Sequence, residues 1–453
     1  KDARRVRFNL ISEASLKKAI YQASDIDLGM VSSGMAKRVY DYTIGKSVSP
    51  EHLALDYGVA IGSVISPLLD TVLRKPVPIG VVQKSIRDED GEPWLMRIPF
   101  YPGEVEEMEM VSEYLSGVSE ASVHAYEDVV QGDSASPMTG PVALQKLSLA
   151  TGASVTEVEQ SLQRSYQKGD ISYPRTDSYY LSEDTASQLK ALADHFGVDG
   201  FDAKHLTEKS KDQQARGGKR KSQDAHEALH VVSPMIPFYS PMTDLHLDDQ
   251  IKVLVARELL RAGQKDRELR TRKGRLEDSM KNQSLTTYLK RYRDRVELEH
   301  SITYRKGLMN KQVIDTVGKP LGISIGTQLN NTTRIINYQN DVRVLMALED
   351  LGIGRPSTVA HHSSSIAKRY LNADGFVNKR GHMVVMTTKQ IVPNLLKKEP
   401  KEVVDFLINN IENKQLDYEV RAKKALSVIG INPERKDDVG TDQSHELPYG
   451  FNN

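Results

Sequence analysis

The segment "GDISYPRTDSYYLSED", residues 169–184, sets Tyr173, Pro174, Arg175, Thr176, Asp177 and Ser178 side by side. A phenol titrates near pKa ~10 and is a poor nucleophile at neutral pH, so it needs a cation to stabilise the phenolate or the group it attacks. Arg175 offers that cation as a planar fork of donors matched to a phosphodiester. Attack on phosphorus would keep the energy of the broken strand in a phosphotyrosine, and rejoining would then need no ATP. Pro174 fixes its own φ and biases Tyr173 toward extended backbone, which aims the phenol in one direction. The same residues also suit a plainer arrangement, a packed tyrosine at a strand end beside a local Arg–Asp ion pair.

Three other clusters could do chemistry. In "QDAHEALHVV" a ring nitrogen of His226 could donate to a phosphate while Glu227 orients the ring, or the histidine could be an ordinary surface residue of a helix. "GIGRPST", from Gly352 to Thr358, reads as a helix start with Pro356 in its first turn. Its free N–H groups and Arg355 could meet a phosphate; a plain turn between helices is the alternative. Asp88, Asp90 and Glu92 alternate as cation ligands can, but Asp90-Gly91 lies between two strand-like runs and reads as a hairpin turn, so no metal is assigned to this chain.

The elements that must position these groups follow from periodicity. Residues 1 to about 75 read as helical, with Ser12 as an N-cap and Ala14, Leu16, Ala19 and Ile20 as an apolar stripe. Strand-like runs follow in "VPIGVVQKSIRDEDGEPWLMRIPF", then an acidic helix with a solvated face in "GEVEEMEMVSEYLSG". One helical block, Val142 to Lys168, leads to Tyr173; Val155, Val158 and Leu162 recur at helical spacing and Gly169 ends it. Residues 200–223 read as a polar basic loop, and "VELEHSITYRKGL" and "PLGISIGTQL" as strands. A helix from Val342, the turn "LGIGRPS", a second helix to Leu371 and a hairpin in "GFVNKRGHMVVMT" together suggest a winged-helix-like unit.

Composition sets limits on function. At 453 residues the chain is too long for one core, and its 61 Lys+Arg against 61 Asp+Glu leave no net field to attract a polyanion. Basic residues are instead local: Lys204–Lys221 holds seven against two acids, and a second concentration runs from Arg257 to Arg275. The absence of cysteine excludes disulfides, thiolate zinc sites and a thiol nucleophile. No apolar run approaches the ~18 residues of a membrane span, so the chain is expected to be soluble and cytoplasmic, nucleoid-associated if prokaryotic, with no membrane partner.

In this order along the chain the blocks resemble the type IA DNA topoisomerases, particularly the topoisomerase III-like branch. "ISYPRTDSYYLSED" is similar to the family's active-site block, with Tyr173 at the nucleophile position. "QDAHEALHVV" is similar to its A-H-E-A-I-R-P segment and "LEDLGIGRPSTVAHHSSSIAKRYL" to its L-x-x-x-G-I-G-R-P-S-T-Y-A block. "RVRFNLISEASLKKAI" and "RVYDYTIGKSVSP" resemble the opening of its scaffold, with Arg38 and Asp41 in register. The resemblance implies a multidomain α+β, toroidal fold: scaffold over 1–75, β-rich arch over 76–136, tyrosine domain over 137–233, arch again over 234–333, winged-helix-like scaffold over 334–430, and a disordered tail over 431–453.

The resemblance also implies an ATP-independent isomerase that passes DNA through a single-strand break with a 5′-phosphotyrosyl link, relaxing or decatenating it. Tyr173, Arg175 and His226 take the catalytic places; Arg38, Asp41, Thr176, Asp177, Ser178, Glu227, Arg355, Ser357 and Thr358 take the DNA-binding ones. The family's N-terminal Toprim domain, whose Glu and D-x-D-x-E acids hold Mg²⁺ and protonate the leaving oxygen, is not found in this sequence. A separate Toprim-bearing chain is therefore the expected partner, beside single-stranded or negatively supercoiled DNA; a fragment from which the Toprim domain was removed would read the same.

The chain departs from the pattern at Ser63 and Ile65, where the family has Arg and Gln, at His230 in place of Arg, and at Val359 in place of Tyr. These departures motivate a competing reading, a catalytically silent DNA-binding clamp. Tyrosine recombinases and replication-initiation nicking enzymes fit less well, since neither uses the tight Y-x-R spacing.

Overall fold

The computed structural model describes residues 3–6, 8, 13–48, 61–132, 135–216, 227–264, 267–305, 333–354, 356–397, 403, 407 and 417–431. Two compact units divide the chain: Lys1–Ile26 with Leu68–Met383, and Asp27–Pro67 with Val384–Asn453.

The larger unit holds an antiparallel sheet of six strands. β1 (Arg4–Arg5) and β2 (Ser24–Asp25) form a separate small pair flanking α1 (Glu13–Tyr21). The large sheet comprises β3 (Gly80–Arg87), β4 (Pro93–Phe100), β5 (Val123–Gly132), β6 (Arg267–Leu276), β7 (Glu297–Arg305) and β8 (Thr333–Asn337), in the order β5-β6-β7-β4-β3-β8. β3 and β4 are the hairpin expected around Asp90-Gly91, running in register from Gly80↔Phe100 to Arg87↔Pro93. Every second residue of β4, Trp94, Met96, Ile98 and Phe100, points into one core, as the period of two requires. Against it lies α4 (Val105–Ser116), whose Met108, Val111 and Leu115 are buried at helical spacing. The acidic helix is thus no mere solvated face; each of these side chains contributes on the order of 2 kcal/mol by burial. Its acids Glu104 and Glu107 pair with Arg295 and Arg291.

The same unit carries a helical cluster. The single helical block expected from Val142 to Lys168 is two helices, α5 (Gly140–Thr151) and α6 (Val155–Gln167). Gly152 ends α5 in the left-handed region at φ 74°, and Ser154 restarts the helix through a capping box with Glu157. Val155, Val158 and Leu162 form the buried stripe, as expected. α7 (Glu183–His195) follows the tyrosine segment. The basic loop is α8 (Ala203–Arg216) over most of its length, because Asp202 accepts the His205 N–H and Leu206, Thr207 and Ser210 make a buried face. Residues 217–223 of that run lie outside the described residues.

α9 (Leu247–Ala262) holds the cluster from behind. Its Asp248 accepts Ser161 and both Arg164 donors of α6, and the Arg164 hydrogen bonds keep its carboxyl below the usual aspartate range. Arg257, at the head of the second basic concentration, is buried and donates to the Phe238 carbonyl at 2.6 Å, so it offers no surface charge. α10 (Gln283–Tyr288) closes the sheet core with Leu285.

Two more helices of this unit, α11 (Asn340–Leu351) and α12 (Val359–Tyr370), flank the "GIGRPS" turn as expected. The hairpin expected next is instead a helix, α13 (Lys379–Ile391). Asn378 accepts the Gly381 N–H as an N-cap would, and Gly381, Val384, Val385 and Thr388 are buried at helical spacing, so capping and packing override the strand preference of the valines.

In the smaller unit α2 (Leu28–Val48) packs with α14 (Tyr418–Val428). The buried Arg421 of α14 donates to the Ser32 and Ser33 hydroxyls and to the Leu407 carbonyl. α3 (Ile65–Arg74) contributes Ser66, which accepts from Thr388 at 3.1 Å. Ser12, "PLGISIGTQL" and the tail from residue 432 lie outside the described residues. Among the described residues no helix is long and apolar enough to cross a membrane.

Candidate active site

Tyr173 sits on a loop between α6 and α7 that is held from three sides. A short ribbon, residues 227–232, runs antiparallel to it, bridging Ile171 to Val231. Ser172 donates its N–H to the His230 carbonyl at 2.8 Å, and the His230 N–H returns a bond to Ser172 Oγ at 2.9 Å. Further along, the Val232 N–H donates to the Asp170 carbonyl and the Ala228 N–H to the Tyr180 carbonyl. From the second side, the first N–H of α5, at Gly140, donates to the Thr176 carbonyl at 2.7 Å. A Cβ at Gly140 would collide with the Pro174 carbonyl oxygen, so only glycine permits this approach. From the third, Gln214 and Ser210 of α8 accept the N–H groups of Tyr179 and Leu181, at 2.7 and 3.2 Å.

The phenol of Tyr173 is half-buried, its ring edge-on to Tyr166 of α6 at 5.4 Å between centroids. Burial, and next the neighbouring Tyr173, push the Tyr166 phenol above its ordinary value, so Tyr166 stays neutral beside it. Arg175 is more open, with 38% of its side chain exposed, and donates Nη2 to Glu159 Oε1 at 3.0 Å. Its Nε is buried with no hydrogen-bond partner among the described residues. The guanidinium is therefore held by one bond, to Glu159, and its exposed part could meet an oxyanion.

His230, at the position where an arginine was expected, is fully buried. Its Nδ1 meets the Ala228 carbonyl at 2.8 Å, and burial drives its pKa below the ordinary 6.5 despite opposing contributions from Glu227 and that carbonyl. A neutral ring is thus buried within the ribbon.

The other residues singled out by sequence divide into groups. Thr176 and Ser178 are buried and turn the loop: Thr176 Oγ1 accepts the Ser178 N–H, and Ser178 Oγ accepts the Tyr180 N–H, both at 3.1 Å. Asp177 is half-buried between them. Glu227 faces α7, where its two oxygens accept the Ser182 N–H and the Thr185 hydroxyl. His226 and Arg355 lie outside the described residues. Ser357 and Thr358 are exposed at the start of α12.

α12 is tied to α6 by a 2.5 Å hydrogen bond between Thr156 and Ser364, and Asp341 of α11 accepts the Val155 N–H at 2.9 Å. In the smaller unit Arg38 and Asp41 are exposed on α2. Asp41 is bonded to Lys37 at 2.9 Å and to Ser63 at 3.0 Å, so a lysine, not foreseen from sequence, stands 3.2 Å from the serine that replaces the expected arginine. Glu159, Gly140 and Gln214 were also missed, since each meets the loop through contacts no short motif encodes.

The Asp88, Asp90 and Glu92 triplet does not suit a cation. Asp88 Oδ1 accepts the N–H groups of Asp90 and Glu92 and its Oδ2 accepts the Trp94 indole, which closes the hairpin. Among the described residues no group of three or more His, Asp or Glu side chains is placed to hold a metal.

The family described as DNA topoisomerase matches residues 102–421. DNA topoisomerase 1 of Escherichia coli is 27% identical over 246 residues, covering 50% of this chain and 28% of that protein. The Buchnera aphidicola (Acyrthosiphon pisum) protein of the same name is 24% identical over 445 residues, 91% of this chain and 48% of its own length. DNA topoisomerase 1 of Thermotoga maritima is 25% identical over 453 residues, 94% of this chain and 67% of its own. The chain thus spans between about a quarter and two thirds of these relatives. The solved full-length topoisomerase I of Thermotoga maritima superposes with a TM-score of 0.57 at 16% identity, covering 94% of this chain and 72% of that one, which shows a shared multidomain fold of helices and sheet. With the family match extending across the tyrosine loop, its ribbon and the α11–α12 turn, the chain belongs to the type IA DNA topoisomerase family.

Proposed function

We propose that this chain is the tyrosine-bearing part of a type IA topoisomerase that cuts and rejoins single-stranded DNA, relaxing or decatenating it. The carrying observation is the half-buried phenol of Tyr173 on a loop held by backbone hydrogen bonds, with the partly exposed Arg175 two residues on. The Tyr173 oxygen attacks phosphorus and forms an O–P bond to the 5′ side of the break, losing its proton. The 3′ oxygen leaves and takes up a proton as a hydroxyl. Rejoining reverses both transfers, so bonds and protons balance and no nucleotide is consumed. Arg175 neutralises the phosphate oxygens during attack. Thr176 and Ser178 serve by shaping the loop, Asp177 by its place between them, and Arg38, Asp41, Ser357 and Thr358 as contacts to the strand. His226 and Arg355 keep the catalytic and phosphate-binding places that the family resemblance gives them.

In this reading magnesium and the acid for the leaving oxygen are supplied by a Toprim domain, on a separate polypeptide or on the rest of a longer one. A 3′-labelled single-stranded oligonucleotide, incubated with this chain, a Toprim polypeptide and Mg²⁺, should give a labelled covalent adduct that disappears in Tyr173→Phe. An adduct that persists in Tyr173→Phe would overturn the assignment. A silent DNA-binding clamp is the second reading, favoured by the structural use of Thr176, Ser178 and Glu227; it predicts strand binding but no adduct with partner and metal both present.

A further inference from the structure

We propose that Glu159 is a positioning residue that holds the Arg175 guanidinium when no nucleic acid is bound and yields it to a backbone phosphate when a strand enters. The proposal rests on the reading above, in which Arg175 meets DNA. Glu159 lies on α6, 16 residues from Arg175, and bonds it through a single pair, Nη2 to Oε1 at 3.0 Å. That contact leaves Arg175 Nε buried without an acceptor. A phosphate meeting the exposed part of the guanidinium could accept from both terminal nitrogens, whereas Glu159 is bonded to Nη2 alone.

Its placement suits Glu159 to hold the guanidinium until a strand competes for it. α6 is fixed at its N-terminus by Asp341 and by the Thr156–Ser364 bond, so the carboxylate is presented from a braced helix. With Arg175 38% exposed and Glu159 23% exposed, the pair is screened by water and weak enough to exchange. Charge exchange also has a measurable signature. A strand binding to free Arg175 releases its counterions, whereas one that first displaces Glu159 leaves a carboxylate that recruits a cation, so net release is smaller.

Binding of a fluorescently labelled single-stranded oligodeoxynucleotide to the full chain, followed by anisotropy across a salt series, tests this. Glu159→Gln should bind about two- to five-fold tighter at low salt, the range expected for removing an exposed competing ion pair. Its dependence of log K on log salt should be steeper by up to ~0.7. In an Arg175→Ala background the same substitution should change neither quantity, because Glu159 acts only through that arginine. Glu159→Asp, which keeps the charge but shortens the reach, guards against misfolding of the first variant and should also tighten binding.

The proposal is overturned if both Glu159 variants bind no tighter than the parent, or if Glu159→Gln gains as much when Arg175 is absent. Loss of the effect with Arg175→Ala still weakening binding removes only the role of Glu159. Unchanged binding by Arg175→Ala removes the role of Arg175 itself.

Discussion

Glu227 caps α7 through Thr185: the threonine hydroxyl donates to Glu227 Oε2 at 2.7 Å while Oε1 accepts the Ser182 N–H at 2.8 Å. A residue singled out for contact with DNA is thus engaged in joining the ribbon behind Tyr173 to the helix that follows the loop. Removing its carboxylate leaves two largely buried donors without an acceptor, which costs about 1–3 kcal/mol. Glu227→Ala should lower the urea midpoint accordingly and speed amide exchange in the first turn of α7. Unchanged stability with impaired strand binding would show that the carboxylate faces the ligand after all.

Gly140 gives a sharper test of how closely the loop must be held. A methyl group there meets the Pro174 carbonyl, a backbone atom that cannot swing aside. Gly140→Ala should push the Tyr173 segment away from α5 and cut adduct formation about 10- to 100-fold, the scale of a catalytic group displaced by an ångström. Quench-flow measurement of adduct appearance on a short single-stranded substrate would read this directly.

His230 predicts a pH dependence whose sign follows from burial. The folded state keeps the ring neutral with its pKa below 6.5, while the unfolded chain binds a proton at the ordinary value. The unfolded state therefore holds more protons as the pH drops through 6.5, so the stability His230 contributes is present above that point and lost below it. Urea unfolding should show the parent losing up to ~1.4 kcal/mol per pH unit more than His230→Gln under mild acid. Parallel pH profiles for the two proteins would place the ring in water.

Arg38 is exposed on α2, next to the Lys37–Asp41–Ser63 cluster. Arg38→Ala should weaken strand binding evenly across sequences and reduce the salt slope by ~0.7, as loss of one phosphate contact does. Thermal stability should stay within ~0.5 kcal/mol of the parent, because the side chain is not packed. Filter binding to homopolymer and mixed strands distinguishes this from loss of base-specific contact.

Much of the local architecture was legible because its determinants are local. The Asp90-Gly91 hairpin, the stripe of Val155, Val158 and Leu162, and the turn after Leu351 each carry their signal within a few residues. The failures have two causes. At residues 379–391 valine preference suggested strand, but the Asn378 cap and a buried face two helical turns long favoured helix. At residues 203–216 abundant lysine suggested a loop, though Leu206 and Ser210 already marked a buried side. The site divides the same way: Tyr173, Arg175 and the ribbon were visible as motifs. Glu159, Gly140 and Gln214 reach the loop through the fold, and no spacing rule connects them.

The bonds that suspend Tyr173 run mostly between main-chain groups: Gly140 to Thr176, Ser172 to His230, Ala228 to Tyr180, Val232 to Asp170. Such ties are indifferent to which side chains hang from them. Residue 230 enters this cradle through its own N–H and carbonyl, so a change of its side chain leaves the ties to Ser172 in place.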